Sequence, residues 1–117
     1  MDEIRRIVTI FSRDCLSVSK KSELTYEVGE HSIEKKLYLR IVKNTRKGTW
    51  SSDWTDGDII DSFVKKKNKL TGRKLFELQP GRSNNTGGFI LAALKNIGFV
   101  RRIRPRSPYF AHVPGTS

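Results

Sequence analysis

The sequence predicts an α+β fold in a single domain, and three patterns along the chain support that prediction. Apolar residues near the N-terminus recur at helical spacing, residues 24–54 alternate with a period of two, and residues 82–113 combine an apolar helix with a basic hairpin. A chain of 117 residues is long enough to bury one core of a few helices and a small sheet. We expect residues 1–54 to form a scaffold, residues 55–113 a helical unit with a hairpin, and residues 114–117 a tail.

The scaffold is predicted to begin with a packing helix over residues 2–17. Its apolar residues Ile4, Ile7, Val8, Phe11 and Cys15 recur on one helical face. We expect Cys15 to be a small buried hydrophobic residue. Because it is the only cysteine, an internal disulfide and a cysteine-rich zinc site are excluded.

A three-stranded antiparallel β-meander is predicted next, with strands over residues 24–28, 36–43 and 48–54. Acidic and basic residues balance in this region, so we interpret it as a scaffold or a dimerisation surface. Trp54 is expected to lie in the core. Trp50 follows the basic turn at Arg46 and Lys47, and for it both a place in the core and a role in stacking against nucleic-acid bases are open.

The second half opens with a predicted helix over residues 55–67. Thr55 is its expected N-cap, and its expected buried face consists of Ile59, Ile60, Phe63 and Val64. Four aspartates lie near its start, namely Asp53, Asp56, Asp58 and Asp61. We attribute them to helix capping, because their spacing does not fit a calcium loop, and we expect no metal and no cofactor.

Two further helices are predicted from signals at their ends. Thr71 can cap a short helix over residues 71–78, which Pro80 and Gly81 terminate. A third helix over residues 85–97 can be capped by Ser83, Asn85 or Thr86. Gly98 directly follows it, at the position where helices commonly end in a left-handed residue.

The charge of the chain is concentrated in its second half. The formal net charge is +11; residues 1–64 contain 11 Lys/Arg and 11 Asp/Glu, whereas residues 65–117 contain 12 Lys/Arg and a single acid, Glu77. A neutral half joined to a strongly basic half indicates a polyanionic partner, of which nucleic acid is the commonest. An acidic protein or a membrane surface is the alternative.

The start of the third helix carries side-chain types that can read DNA bases. Arg pairs with guanine, Asn with adenine, and Ser or Thr with either a base or a phosphate. The candidate binding residues there are Arg82, Ser83, Asn84, Asn85 and Thr86, and Lys95 lies near the helix end. The alternative interpretation is that this polar cluster is only a helix cap.

A basic hairpin follows over residues 99–113. Prolines at 105 and 108 suit a hairpin tip, where backbone donors need no partner in a sheet. Four arginines around one tip match contacts to phosphate or to the minor groove. These arginines are Arg101, Arg102, Arg104 and Arg106. The lysines at and just beyond the end of the first helix are further candidate phosphate contacts: Lys65, Lys66, Lys67 and Lys69.

Residues 55–113 resemble winged helix-turn-helix DNA-binding domains. The pattern consists of a first helix (55–67), a short second helix (71–78), a recognition-like helix (85–97) and a wing (99–113). The resemblance implies that the third helix enters the major groove while the wing lies along the backbone. It implies a small DNA-binding regulator of transcription, or a protein of phage or plasmid type, that can pair as a homodimer.

Two other functions remain open at this point. A metal-dependent nuclease is one, because Glu34-Lys35-Lys36 fits an acid-x-Lys pattern with Glu23, Glu27 or Asp53 as a partner carboxylate. RNA binding is the other. His31 and His112 are interpreted as surface or edge residues. No apolar run reaches the length of a membrane span and no secretory signal is evident, so we expect an intracellular protein with no membrane partner. The leading expectation is a nucleic-acid-binding protein that is not an enzyme.

Overall fold

The computed structural model describes residues 6–45, 50, 52–66, 69–75, 84–107 and 109–114. Over those residues the fold is mixed α+β, with a four-stranded antiparallel sheet, three helices and a two-stranded hairpin. The predicted fold class is confirmed at this level. None of the described helices has the length and apolar character needed to cross a bilayer.

The elements follow one another in a simple order. The sheet contains β1 (Ile7–Leu16), β2 (Glu23–His31), β3 (Leu37–Asn44) and β4 (Thr55–Asp56), each antiparallel to the next. The helices are α1 (Gly57–Lys66), α2 (Gly72–Leu75) and α3 (Asn84–Ile97), and the hairpin consists of β5 (Val100–Arg102) and β6 (Phe110–His112).

The N-terminal helix predicted over residues 2–17 is wrong where the structure describes it, because residues 7–16 form β1. Residues 2–5 lie outside the described part of the chain. A β-bulge between Thr9 and Phe11 takes up one residue, so that Val8, Phe11 and Cys15 share one face of the sheet despite their helix-like spacing. The four β-branched residues from Ile7 to Ile10 also favour an extended chain over a helix.

Cys15 lies one residue before the end of β1 and is buried. Its side chain is 9% exposed, as predicted for a small hydrophobic residue. Burial raises the pKa of its thiol, and the charge of Asp14 raises it further. The thiol is therefore held in its protonated, unreactive form.

Two strands of the predicted meander are confirmed as β2 and β3. The third, predicted over residues 48–54, is wrong where the structure describes it, because residues 50 and 52–54 lie outside any strand. β4 pairs with β3 instead, with Leu39 opposite Thr55. Residues 48, 49 and 51 lie outside the described part of the chain.

The core lies between one face of this sheet and α3. Tyr26 is fully buried there, and its hydroxyl donates to Oδ1 of Asn96 at 2.7 Å. Burial is the main reason that the pKa of Tyr26 is raised. Trp50 packs against this core, with its ring edge-on to Phe89 and its Nε1–H donating to the Ile41 carbonyl. The core role left open for Trp50 is therefore the one the geometry favours.

Trp54 lies on the opposite face of the sheet, so its predicted place in the core is wrong. Gly29 belongs to that outer face, and a Cβ built on it would lie 2.7 Å from the Trp54 ring. The guanidinium of Arg40 lies 4.1 Å from the centroid of the ring. Arg40 in turn bonds Glu27, with Nη2 2.7 Å from Oε1. The Trp54 ring thus packs between Gly29 and the guanidinium of Arg40.

The predicted helix over residues 55–67 is displaced, because α1 begins at Gly57 and Thr55 belongs to β4. Asp56 is the capping residue, and its Oδ1 accepts the backbone N–H of Asp58 at 2.8 Å. Its Oδ2 accepts from Nζ of Lys36 at 3.1 Å. In the predicted buried face Ile60 and Val64 are buried, whereas Ile59 is 56% exposed.

The pKa of Asp56 should make the stability of the protein depend on pH. Burial raises this pKa, but the hydrogen bonds from Lys36 and from the α1 backbone outweigh burial, so the net pKa is lowered. A carboxyl whose pKa is lower in the folded state stabilises the fold above its unfolded pKa. That stabilisation is lost as the pH falls through the folded pKa.

We expect Asp56→Ala to cost about 1 kcal/mol at neutral pH, the usual cost of losing a helix cap. Asp56→Asn is the matched control, because asparagine also caps helices but carries no charge for Lys36. Urea denaturation at neutral and acidic pH measures both effects. If both variants lost the same free energy of unfolding, the capping role would be contradicted. If the free energy of unfolding of Asp56→Asn fell at acidic pH as much as that of the wild type, the role of the carboxylate would be contradicted.

α2 and α3 cross at close range near the start of α3. A Cβ on Gly72 would lie 2.8 Å from the Cα of Gly88, so this crossing needs glycine. Thr71 caps α2 as predicted, with its hydroxyl accepting the N–H of Lys74 at 3.3 Å. The part of the predicted second helix over residues 76–78 lies outside the described residues.

α3 begins and ends close to its predicted limits. Since Asn84 is its first residue, Asn85 and Thr86 are within the helix and cannot be its N-cap, and Ser83 lies outside the described residues. Gly98 has a φ of 95° and its N–H donates to the carbonyl of Leu94 at 3.1 Å. The predicted left-handed helix end is confirmed.

Candidate nucleic-acid interface

The hairpin that follows α3 presents three arginines to solvent. Arg101 lies in β5, while Arg104 and Arg106 lie in the connection between the strands, and all three are exposed. The connection is closed by Ile103 N–H donating to the Tyr109 carbonyl and by Ser107 N–H donating to the Arg104 carbonyl, both at 3.0 Å. Within the described residues no ion pair involves these arginines.

Arg102 differs from the other three arginines, because its guanidinium makes contacts inside the protein. It is half-buried, and its guanidinium lies 4.8 Å from the ring centroid of Phe110. Nη1 donates to the carbonyl of Ser107 at 2.6 Å, and Nη2 donates to the carbonyl of Val18 at 3.1 Å. Through these two hydrogen bonds Arg102 holds the hairpin against the turn that contains Val18.

The middle of α3 is buried on every side. Five successive residues, Ile90 to Leu94, are each at most 5% exposed, because the sheet covers one side of the helix and the remaining elements cover the other. The helix therefore cannot lie lengthwise in a groove of DNA. Only its two ends can approach a ligand.

The first turn of α3 holds three of the five residues predicted to read bases, and the prediction is wrong for one of the three. Thr86 is 2% exposed, so it cannot contact a nucleic acid. Asn84 and Asn85 occupy the first two positions of the helix, and their side chains are outside the structural description, as are Arg82 and Ser83. Lys95, in the last turn, is exposed.

The lysines around α1 and α2 form a second group of cations. Lys66 is exposed, Lys67 lies outside the described residues, and Lys65 bonds Asp61 at 3.1 Å. Lys69 is exposed with its Nζ 5.2 Å from the ring centroid of Tyr109 in the hairpin. This contact brings Lys69 beside the hairpin, which the order of residues alone does not show.

Sequence reasoning missed three residues in this area, namely Arg73, Lys74 and Tyr109. Arg73 and Lys74 are exposed on α2, and Tyr109 is 38% exposed. Nζ of Lys74 donates to the carbonyl of Lys69 at 2.7 Å, so the two lysines are neighbours. The high density of basic residues after residue 64 was the available signal for the two cations.

Comparison of the chain with models of protein families, with curated proteins and with solved structures gives no match. The site must therefore be interpreted from its own geometry.

Two residues of the alternative nuclease site, Lys36 and Glu27, are engaged in other contacts. Nζ of Lys36 bonds Asp56 at 3.1 Å and lies 3.7 Å from Asp58, and Glu27 bonds Arg40. Glu34 is exposed in the turn between β2 and β3. Across the described ranges, no three His, Cys, Asp or Glu residues are grouped so that they could hold a metal ion.

The two histidines are placed differently from one another. His31 is 3% exposed, so its predicted surface position is wrong; its Nδ1 accepts the N–H of Ile33 at 3.3 Å and of Glu34 at 3.0 Å. It therefore closes the turn after β2. His112 lies in β6 with its ring edge-on to Phe99, 4.7 Å between centroids, as expected for an edge residue.

Proposed function

We propose that this protein binds duplex DNA through the arginine-rich hairpin and the first turn of α3, as a winged helix-turn-helix protein does. The observation that carries the proposal is the set of three exposed arginines, Arg101, Arg104 and Arg106, on a hairpin of only two short strands. Grouped cations that pair with no acid of the described chain suit a polyanion. We propose a regulator of transcription as the biological role.

The order of elements supports the winged-helix part of the proposal. Three helices are followed by a hairpin, and Leu70, between α1 and α2, pairs with Phe110 of β6 through two backbone hydrogen bonds of 2.8 and 2.9 Å. The link between the first two helices is thus tied to the hairpin. The hairpin is therefore fixed relative to all three helices and can act as a rigid wing.

A chain of contacts also brings the hairpin toward the start of α3. Leu70 pairs with Phe110, which lies opposite Arg102 at the tip end of the β5–β6 ladder. Two residues after Leu70, Gly72 packs against Gly88 in the first turns of α3. The hairpin and the polar N-terminal turn of α3 can therefore contact one duplex together.

The burial of α3 specifies how the protein would dock. Because Ile90 to Leu94 are covered, the helix would enter a groove with its N-terminal end, where backbone N–H groups point outward and attract phosphate. Base contacts would then be few and would come from the first turn, at Asn84 and Asn85. Most of the affinity would come from phosphate contacts of the hairpin and the lysines.

Binding of the protein to duplex DNA, single-stranded DNA and structured RNA across about 50 to 200 mM salt tests the proposal. We expect duplex DNA to bind most tightly, with an affinity that falls steeply with salt. Replacing Asn84 and Asn85 together by alanine should reduce sequence preference more than affinity. A stronger affinity for RNA, or no binding to any of the three, would contradict the proposal.

A further inference from the structure

The guanidinium of Arg102 joins the hairpin to the turn between β1 and β2. One of its nitrogens bonds the Ser107 carbonyl and another bonds the Val18 carbonyl, at 2.6 and 3.1 Å. The distance between these two carbonyl oxygens is therefore limited to the width of one guanidinium plus two hydrogen bonds. Ser107 directly follows Arg106, and Val18 lies two residues before Lys20. A turn from the neutral half of the chain thus lies beside the basic hairpin.

The turn over residues 17–22 has a fixed shape. Ser17 N–H donates to the Ser22 carbonyl and Lys20 N–H donates to the Ser17 carbonyl, both at 2.9 Å. The N–H of Ser22 also donates to Oγ of Ser17 at 3.2 Å. Lys20 has a φ of 64°, so the backbone reverses at this residue. The lysine is therefore presented from an ordered loop.

Lys20 is exposed at this position, and within the described residues no ion pair involves it. Its charge adds to those of Arg104 and Arg106, which stand on the hairpin that Arg102 connects to the turn. Cations held close together attract a polyanion jointly, because each lowers the potential energy of the same phosphates.

We infer that Lys20 is a further nucleic-acid contact, which binds a phosphate of the same duplex that the hairpin binds. Arg102 is the positioning residue that fixes the spacing between the turn and the hairpin. The inference rests on the proposed function. It extends the interface to a residue in the first half of the chain, where acidic and basic residues balance.

The test compares two lysine variants for binding to a mixed-sequence duplex DNA across the same salt series. Lys20→Gln should lower the affinity about tenfold at roughly 0.1 M salt and reduce the slope of log affinity against log salt by about 0.9, the effect of one phosphate contact. Lys35→Gln is the matched control. Lys35 is also exposed and also has a positive φ, 62°, but it lies in the turn at the other end of β2. It should bind like the wild type.

The outcomes separate this inference from the proposed function. A wild-type protein without salt-dependent DNA binding would overturn the proposed function. A wild type that binds, with Lys20→Gln equal to Lys35→Gln, would overturn the inference alone. Lys20→Arg must bind like the wild type, because it keeps the charge; a loss in this variant would also overturn it.

A double-mutant cycle tests the positioning role of Arg102. Lysine at this position keeps a charge but cannot span two carbonyls as a guanidinium does. In an Arg102→Lys background the turn is no longer held to the hairpin, so Lys20→Gln should cost much less than tenfold. Effects that add on a logarithmic scale would show that Arg102 does not position Lys20.

Discussion

Replacing Arg101, Arg104 and Arg106 together with alanine should lower the affinity for duplex DNA about a thousandfold at roughly 0.1 M salt. Each phosphate contact contributes a slope of about −0.9 to the dependence of log affinity on log salt, so the slope should also fall in magnitude by about 2.7. All three side chains are exposed and lie outside the core, so folding should be preserved. A salt titration with labelled duplex measures affinity and slope together.

The charge-conserving triple variant, with lysine at the same three positions, is the control. Lysine also neutralises phosphates, so the slope should stay near that of the wild type. An alanine variant that keeps the wild-type slope would contradict the assignment of these residues as phosphate contacts.

Phe110→Ala should be the most destabilising single change in the hairpin, costing about 3–5 kcal/mol in the free energy of unfolding. Phe110 is 0% exposed, and its ring supports the guanidinium of Arg102. Its backbone also pairs with Leu70. Truncation leaves a cavity at the point where the hairpin, the α1–α2 link and the β1–β2 turn meet. Urea denaturation followed by circular dichroism measures the loss.

Tyr109→Ala provides the comparison for the same strand region. Tyr109 is 38% exposed, and its ring contacts Lys69 in a cation–π geometry that is worth about 0.5–1 kcal/mol at exposed sites. Its loss should therefore change stability by about 1 kcal/mol or less. Equal costs for the two substitutions would mean that Phe110 does not carry the packing assigned to it.

Elements that depend on neighbouring residues could be predicted well. The end of α3 follows from Gly98, and the α2 cap follows from Thr71 three residues before its N–H donor. The hairpin follows from two short apolar runs around a basic, proline-containing connection. In each case the stabilising contact is made within a few residues, so its signal is present in a short window of sequence.

β1 shows why a short window can fail. Its apolar residues have helical spacing only because the bulge after Thr9 absorbs one residue. The bulge is formed against β2, so no pattern within residues 7–16 marks it. Trp54 fails for the same reason, since its position depends on Gly29 in β2.

The candidate interface likewise has some features that local sequence determines and others that depend on tertiary contacts. The sequence by itself determined that the positive charge lies after residue 64, and that a capped helix leads into an arginine-rich hairpin, because these are properties of composition and of local hydrogen bonds. Only the tertiary structure decided which of these residues are accessible. It buried Thr86 and the middle of α3, used Arg102 as an anchor, and brought the β1–β2 turn to the hairpin. These outcomes depend on contacts such as Arg102 to Val18, 84 residues apart, which form only when the whole chain packs.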